Sequence, residues 1–283
     1  MSATLLSFGH GYSARALARI LLPRGWRVIG TTRSPQRAAG LRASGVEPLV
    51  WPGDGPVSLA GVTHLLVSAG PDERGDPVLN ALGDAIAAAA PGLAWAGYLS
   101  TTAVYGDHRG GWVDENTALT PASRRGRWRV AAEAQWRAVP GLPLHIFRLA
   151  GIYGPGRGPL AKLREGSARR IVKPGQVFSR IHVEDIAQVL AASMARPDPG
   201  AVYNLCDDDP APPEDVIEHG ANLLGLPVPP AIPFDRADLT PMARSFYGES
   251  KRVRNDRIKT ELGVVLKYPS YRDGLAALVR DET

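Results

Sequence analysis

Residues 4–22 read TLLSFGHGYSARALARILL, and the order of their parts decides the fold. Thr4 to Phe8 form an apolar run of strand length. Directly after it comes Gly9-His10-Gly11-Tyr12-Ser13-Ala14, a G-x-G-x-x-A turn, and then a segment of helical period. Each small residue has a reason to be small. Gly9 permits a tight turn, Gly11 lets the backbone approach a pyrophosphate, and Ala14 lets the helix lie close on the strand. Unpaired amides and the positive dipole end at the start of that helix suit phosphates, so Gly9, Gly11, Tyr12 and Ser13 are expected to line a dinucleotide. The glycines alone are a weak signal; a strand before and a helix after make it a good one.

Outward from this turn the pattern repeats. Strands are expected near 4–8, 26–31, 46–51, 63–69, 93–99 and 143–149, and helices near 12–23, 34–44, 76–90, 124–138 and 182–195. Such alternation argues for an α/β fold, a Rossmann-type doubly wound parallel sheet. After residue 155 the regularity weakens and prolines crowd in, which reads as a smaller C-terminal lobe, rich in loops. The expected division is a dinucleotide-binding Rossmann domain over 1–155 and, mainly, the smaller lobe over 156–283. Helix 182–195 and part of 176–205 are expected to return to the sheet, and residues 164–170 to lie on a surface helix.

Hydrophobic residues make up 44% of the 283 and charged ones 22%, a globular composition. The formal net charge of +5 is spread along the chain, so nucleic acid is not an expected partner. A single cysteine, Cys206, excludes an internal disulfide framework and supplies no metal set, which suits a cytoplasmic protein without a metal. No apolar run reaches membrane-spanning length, and no membrane is expected as a partner.

The choice of dinucleotide falls at the end of the second strand, Gly30-Thr31-Thr32-Arg33-Ser34. NAD sites carry an acid there for the ribose hydroxyls, and this chain has none. Arg33, with Thr32, suits a 2′-phosphate that a carboxylate would repel, so NADP is expected over NAD. The plainer alternative is an Arg33 that is only solvated. By the logic of the fold Asp54 touches the adenine side, and Ser68, Ala69 and Gly70, ending the fourth strand, lie beside the pyrophosphate.

LSTTAVYGD at 99–107 brings the chain to a known pattern. With FRLAGIYGPG at 147–156, RIHVEDIA at 180–187, YNL at 203–205 and a closing SKRVRNDRI followed by ELG, the sequence resembles the extended and atypical short-chain dehydrogenase/reductase family, of the NAD-dependent epimerase/dehydratase kind. The resemblance covers nearly the whole chain. It implies a seven-stranded doubly wound sheet whose Rossmann domain over 1–155 is NADP-binding, a small C-terminal α+β substrate lobe over 156–283, a nicotinamide cofactor touched also by Ile152, and a substrate side formed by Thr102, Tyr105, Tyr153 and Arg180. It further implies a hydroxyl at Thr101 that binds the substrate oxygen, a tyrosine acid/base, and a lysine one turn later. Laid on 125–133, the family's Tyr-x-x-x-Lys helix puts Arg125 at the tyrosine and Arg129 at the lysine.

That departure concerns the chemistry more than the binding. A phenol with a pKa near 10 needs an adjacent cation to work at neutral pH. A guanidinium cannot replace the phenol as a base, because it holds its proton at any ordinary pH. Arg129 keeps the charge and donors of a lysine for the ribose hydroxyls, and Arg125 suits an anionic group or a polarised carbonyl. Arg148, Arg157, Arg164, Arg169, Arg170, Lys173 and Arg180 are expected around the mouth of the lobe, either as a site for an anionic or nucleotide-sugar-like small molecule or as solvated faces. Two functions stay open: an atypical NAD(P)-dependent oxidoreductase or epimerase/dehydratase-like enzyme using Thr101, Arg125 and Arg129, or a non-catalytic NADP(H)-binding sensor or interaction protein. Monomer and homodimer are both open.

Overall fold

A computed structural model describes residues 3–281. Its first half alternates strand and helix except at β3–β4 and β5–β6: β1 (Thr4–Phe8), α1 (Tyr12–Leu21), β2 (Arg27–Thr32), α2 (Pro35–Ala43), β3 (Glu47–Val50), β4 (His64–Val67), α3 (Pro77–Ala89), β5 (Trp95–Thr101), β6 (Trp112–Val113), α4 (Arg124–Arg137) and β7 (Leu144–Leu149). There follow β8 (Gly151–Tyr153), α5 (Pro159–Arg164), β9 (Arg170–Val172), β10 (Arg180–His182), α6 (Val183–Ala195), β11 (Val202–Leu205), α7 (Pro213–Leu223), β12 (Ala231–Pro233), α8 (Pro241–Phe246), β13 (Arg252–Val253), α9 (Asp256–Thr260) and α10 (Tyr271–Arg280).

Seven strands form one parallel sheet in the order β11-β7-β5-β4-β1-β2-β3. The chain winds outward from β1 in both directions, so the C-terminal ends of β1 and β4 meet where the winding reverses, the place where open α/β sheets bind ligands. Both central strands are buried along their whole length, as parallel strands covered on two faces must be. One face carries α1 and α6, with Ala14, Leu17 and Ala18 in a core that includes Ile186 and Leu190. The other carries α3 and α4, with Val78, Leu82 and Ile86 beside Ala132 and Trp136. Helix starts follow the local chemistry: Asp76 accepts from the Val78 and Leu79 amides at the head of α3, and Ser123 from the Gly126 amide at the head of α4.

The lobe is more helical than its prolines imply. Besides α6, the segment after residue 155 holds α5, α7, α8, α9 and α10, which corrects the expectation of a lobe rich in loops. Proline at the first helical position is compatible with a helix, because the amide it lacks would be unpaired there anyway; α5, α7 and α8 each begin that way. Residues 164–170 are not a surface helix: α5 ends at Arg164, and Arg170 opens β9, which pairs with β12. A separate apolar cluster of Tyr153, Leu160, Val216, Tyr271 and Leu275 holds α5, α7 and α10 together.

Candidate cofactor and active site

The glycine turn is pinned from both neighbouring strands. The Gly9 amide donates to Thr31 Oγ1 on β2 at 2.9 Å, the His10 amide to the Thr31 carbonyl at 3.3 Å, and the Ser68 hydroxyl beyond β4 to the Gly9 carbonyl. Gly9 stands at φ +73°, and a Cβ on it would lie 2.9 Å from the Ala69 nitrogen. Gly11 is the N-cap of α1; it offers no side-chain acceptor, and the first turn holds no acid. The first amides of α1 are therefore left without side-chain partners. His10 is buried against Gly30, and burial, with Arg15 adding to it, pulls its imidazole down to about 4.

At the end of β2 the Thr32 hydroxyl accepts from the Ser34 amide at 3.2 Å. Arg33 between them is exposed and has no ion-pair partner among the described residues. Asp54 and Gly70 are also exposed; Tyr12, Ser68, Ala69 and Ile152 are half-buried and Ser13 is buried.

The chemical end is built by β5 and α4. Thr101 ends β5 and caps the short 3₁₀ turn Thr102–Tyr105, its Oγ1 accepting from the Ala103 amide at 3.2 Å. That use of a lone pair leaves the hydroxyl proton free to donate outward. Helix α4 presses on this turn at Gly126, where a Cβ would stand 2.9 Å from the Ala103 carbonyl and 2.8 Å from Pro121. One turn on, Arg129 Nη1 donates to the Leu99 carbonyl at 2.8 Å and to the Tyr98 hydroxyl at 3.0 Å. Its Nη2 lies 3.6 Å from the Cβ position of Gly70. Arg129 thus bridges the end of β5 and the loop after β4, whereas Arg125 is exposed on the first turn with no ion pair among the described residues.

Three residues expected on the substrate side point elsewhere. Tyr105 is fully buried: its hydroxyl donates to Asn204 Oδ1 at 2.7 Å and accepts from Arg148 Nη1 at 3.0 Å, and burial pushes its phenol up to about 12. Tyr153 is buried in the lobe's own core, its hydroxyl reaching the Ser270 carbonyl at 3.4 Å. Arg180 turns Nη1 back onto the carbonyls of Phe178 and Ala211, at 2.9 and 3.1 Å. Arg148 is likewise no mouth residue; it grips Glu133 with Nε at 3.2 Å and Nη2 at 2.8 Å, while Glu133 also accepts from the Ser100 hydroxyl. This buried Ser100–Glu133–Arg148–Tyr105–Asn204 chain went unread, because an isolated Glu in a polar helix gives no sign of which face it occupies. His182 caps α6 through Nδ1, and burial pulls its imidazole down to about 4.

The sheet order, the turn at its switch point and the helix pressed against the Thr101 turn define a class: a Rossmann-fold protein on the plan of the short-chain dehydrogenases and reductases. No family model matches the sequence. The chain is 30% identical over 279 residues to Protein YeeZ of Escherichia coli (strain K12), covering 92% of this chain and 94% of that protein. A functionally unknown conserved protein from Silicibacter pomeroyi DSS superposes with a TM-score of 0.96 at 72% identity, 99% of each chain being covered. Human epimerase family protein SDR39U1, solved with NADPH, superposes with a TM-score of 0.77 at 18% identity over 98% of this chain and 99% of that one, a likeness of fold. The chain belongs to the family of Protein YeeZ, and its fold is that of the epimerase family protein SDR39U1.

Proposed function

We propose that the protein binds NADP(H) and is an atypical oxidoreductase or epimerase/dehydratase-like enzyme acting on a small polar molecule. The observation that carries the cofactor reading is the exposed, unpaired Arg33 at the end of β2, one strand from the pinned glycine turn and without an acid beside it. A 2′-phosphate would supply its missing counter-charge. The NADPH in SDR39U1, a protein of the same fold, supports this choice. Arg129, held by Leu99 and Tyr98 next to Gly70, takes the family lysine's place toward the ribose. Thr101 donates to the substrate oxygen. Arg125 supplies positive charge to it and transfers no proton. Among the described residues no helix is long and apolar enough to cross a membrane.

Calorimetric titration tests the cofactor assignment. Arg33→Ala is expected to weaken NADPH by about tenfold, the loss of one charge-assisted bond, and to leave NADH unchanged; equal loss of both would overturn it. A second reading, a non-catalytic NADP(H) sensor, is favoured by one observation: Tyr105 and Tyr153, the tyrosines flanking the Thr101 turn and the YGPG loop, are both buried and internally bonded. Hydride transfer from stereospecifically deuterated NADPH to a carbonyl panel separates the two. Transfer that Thr101→Ala abolishes supports the enzyme, and tight binding with no transfer supports the sensor.

A further inference from the structure

Loop 154–158 leaves β8 and passes over the start of α1. The Tyr12 hydroxyl donates to the Pro155 carbonyl at 3.0 Å, and Gly154 sits so near that a Cβ on it would stand 2.6 Å from that hydroxyl. Gly154 and Arg157 exchange both backbone hydrogen bonds at 3.0 Å, which closes the loop into a tight turn. The Arg157 guanidinium then lies 5.4 Å from the centroid of the Tyr12 ring. Arg157 is exposed, and among the described residues its side chain has no carboxylate and no hydrogen-bond partner. Glu184, the acid whose charge acts on Tyr12, is engaged by Lys267 at 2.7 Å.

A cation held here adds to a field that is already positive. The head of α1 carries the positive end of the helix dipole, its amides lack side-chain acceptors, and no acid stands in the first turn. Arg19, also near Tyr12, adds a further positive charge. Two independent sources of positive potential, one from the sheet side and one from the loop, converge on Tyr12 with only a committed carboxylate nearby. An anion between them turns a repulsion into two attractions.

We propose that Arg157 is a ligand of the cofactor's pyrophosphate, reaching it from the loop side, opposite the amides of the glycine turn, with the Tyr12 ring as its platform. The proposal rests on the dinucleotide reading above and adds a residue to it. A guanidinium suits the task because its planar fork matches two phosphate oxygens and its flat face stacks on an aromatic ring. Its role differs from that of Arg33: every nicotinamide dinucleotide carries the pyrophosphate, whereas only NADP(H) carries the 2′-phosphate.

The test titrates NADPH, NADH and ADP-ribose by calorimetry into the wild type, Arg157→Ala, Arg157→Lys and Arg33→Ala, each checked for an unchanged melting temperature. Arg157→Ala is expected to weaken all three ligands by a common factor of about ten or more, the cost of a charge-assisted bond. Lysine should restore part of it, and Arg33→Ala should weaken NADPH alone. Unchanged affinities in Arg157→Ala overturn the proposal. So does a loss confined to NADPH, which would place Arg157 on the 2′-phosphate. A wild type that binds none of the three overturns the dinucleotide reading, and the proposal with it; a wild type that binds while Arg157→Ala binds equally well overturns the proposal alone.

Discussion

At Gly9 the backbone is left-handed and the direction of a side chain is closed by the Ala69 nitrogen 2.9 Å away; at Gly11 the same direction is open, the nearest atom being the Gly9 carbonyl oxygen at 3.6 Å. The two glycines of one motif therefore serve different ends. Gly9→Ala meets both left-handed strain and a backbone collision, and the expected loss is about 1–3 kcal/mol of stability, read by urea unfolding. Gly11→Ala meets neither, and its melting temperature is expected to match the wild type. Its methyl group would stand where a pyrophosphate must approach, so NADPH affinity should fall by tenfold or more. A Gly11→Ala protein that binds NADPH normally would show that the phosphates lie elsewhere.

Helix α4 carries the element whose role changed most between sequence and structure. Its limits were legible, because Ser123 is a helix cap and the helix ends one residue short of the expected 138. Its faces were not, since arginines and Glu133 leave no apolar stripe to orient it. The same asymmetry runs through the chain: the six strands read from apolar runs and the five helices read from period all appear, because burial on two faces writes itself into composition. The seventh sheet strand, β11, was legible only as part of the returning segment. In the lobe, α7 and α10 are at least as long as α1 but read as loop, because the crowding of prolines there counts against helix. The site followed suit: the glycine turn and Thr101 were readable as local motifs, whereas the inward turns of Arg148, Arg180, Tyr105 and Tyr153 depend on partners far along the chain. Glu133 is 2% exposed and ties α4 to β5 and β7. Glu133→Ala leaves the Arg148 guanidinium buried and unpaired, for an expected loss of about 3–5 kcal/mol, or roughly 10 °C in the unfolding midpoint. Replacing both members of the pair by apolar residues, Glu133→Leu with Arg148→Met, should recover much of that loss.

Across the whole molecule, buried ionisable groups set a pH window for stability. His10, His64 and His182 are spread over the glycine turn, β4 and the head of α6, and burial pulls each from 6.5 to about 4. Because the folded state holds them neutral, unfolding takes up protons below pH 6.5. The stability they permit is whole above that value and is lost as the pH falls toward 4. Asp207 acts in the opposite sense. It follows β11, is 1% exposed, has no partner for Oδ2, and is pushed by burial from 3.8 up to about 8, with Arg180 only partly opposing. The folded state therefore retains a proton that the unfolded chain releases, and the stability present below pH 3.8 is lost progressively as the pH rises through about 8. The two effects cross between them, so the melting temperature is expected to peak near pH 6 to 7 and fall on both sides. Asp207→Asn keeps an oxygen to accept from the Asp209 amide and cannot ionise. Scanning calorimetry from pH 4 to 9 should find the alkaline fall flattened in that variant and the acid fall steepened, since Asp207 no longer offsets the histidines between pH 3.8 and 8. An alkaline limb identical in both proteins would mean that Asp207 is already ionised in the fold, with Arg180 as a true counter-ion despite its hold on the Phe178 and Ala211 carbonyls.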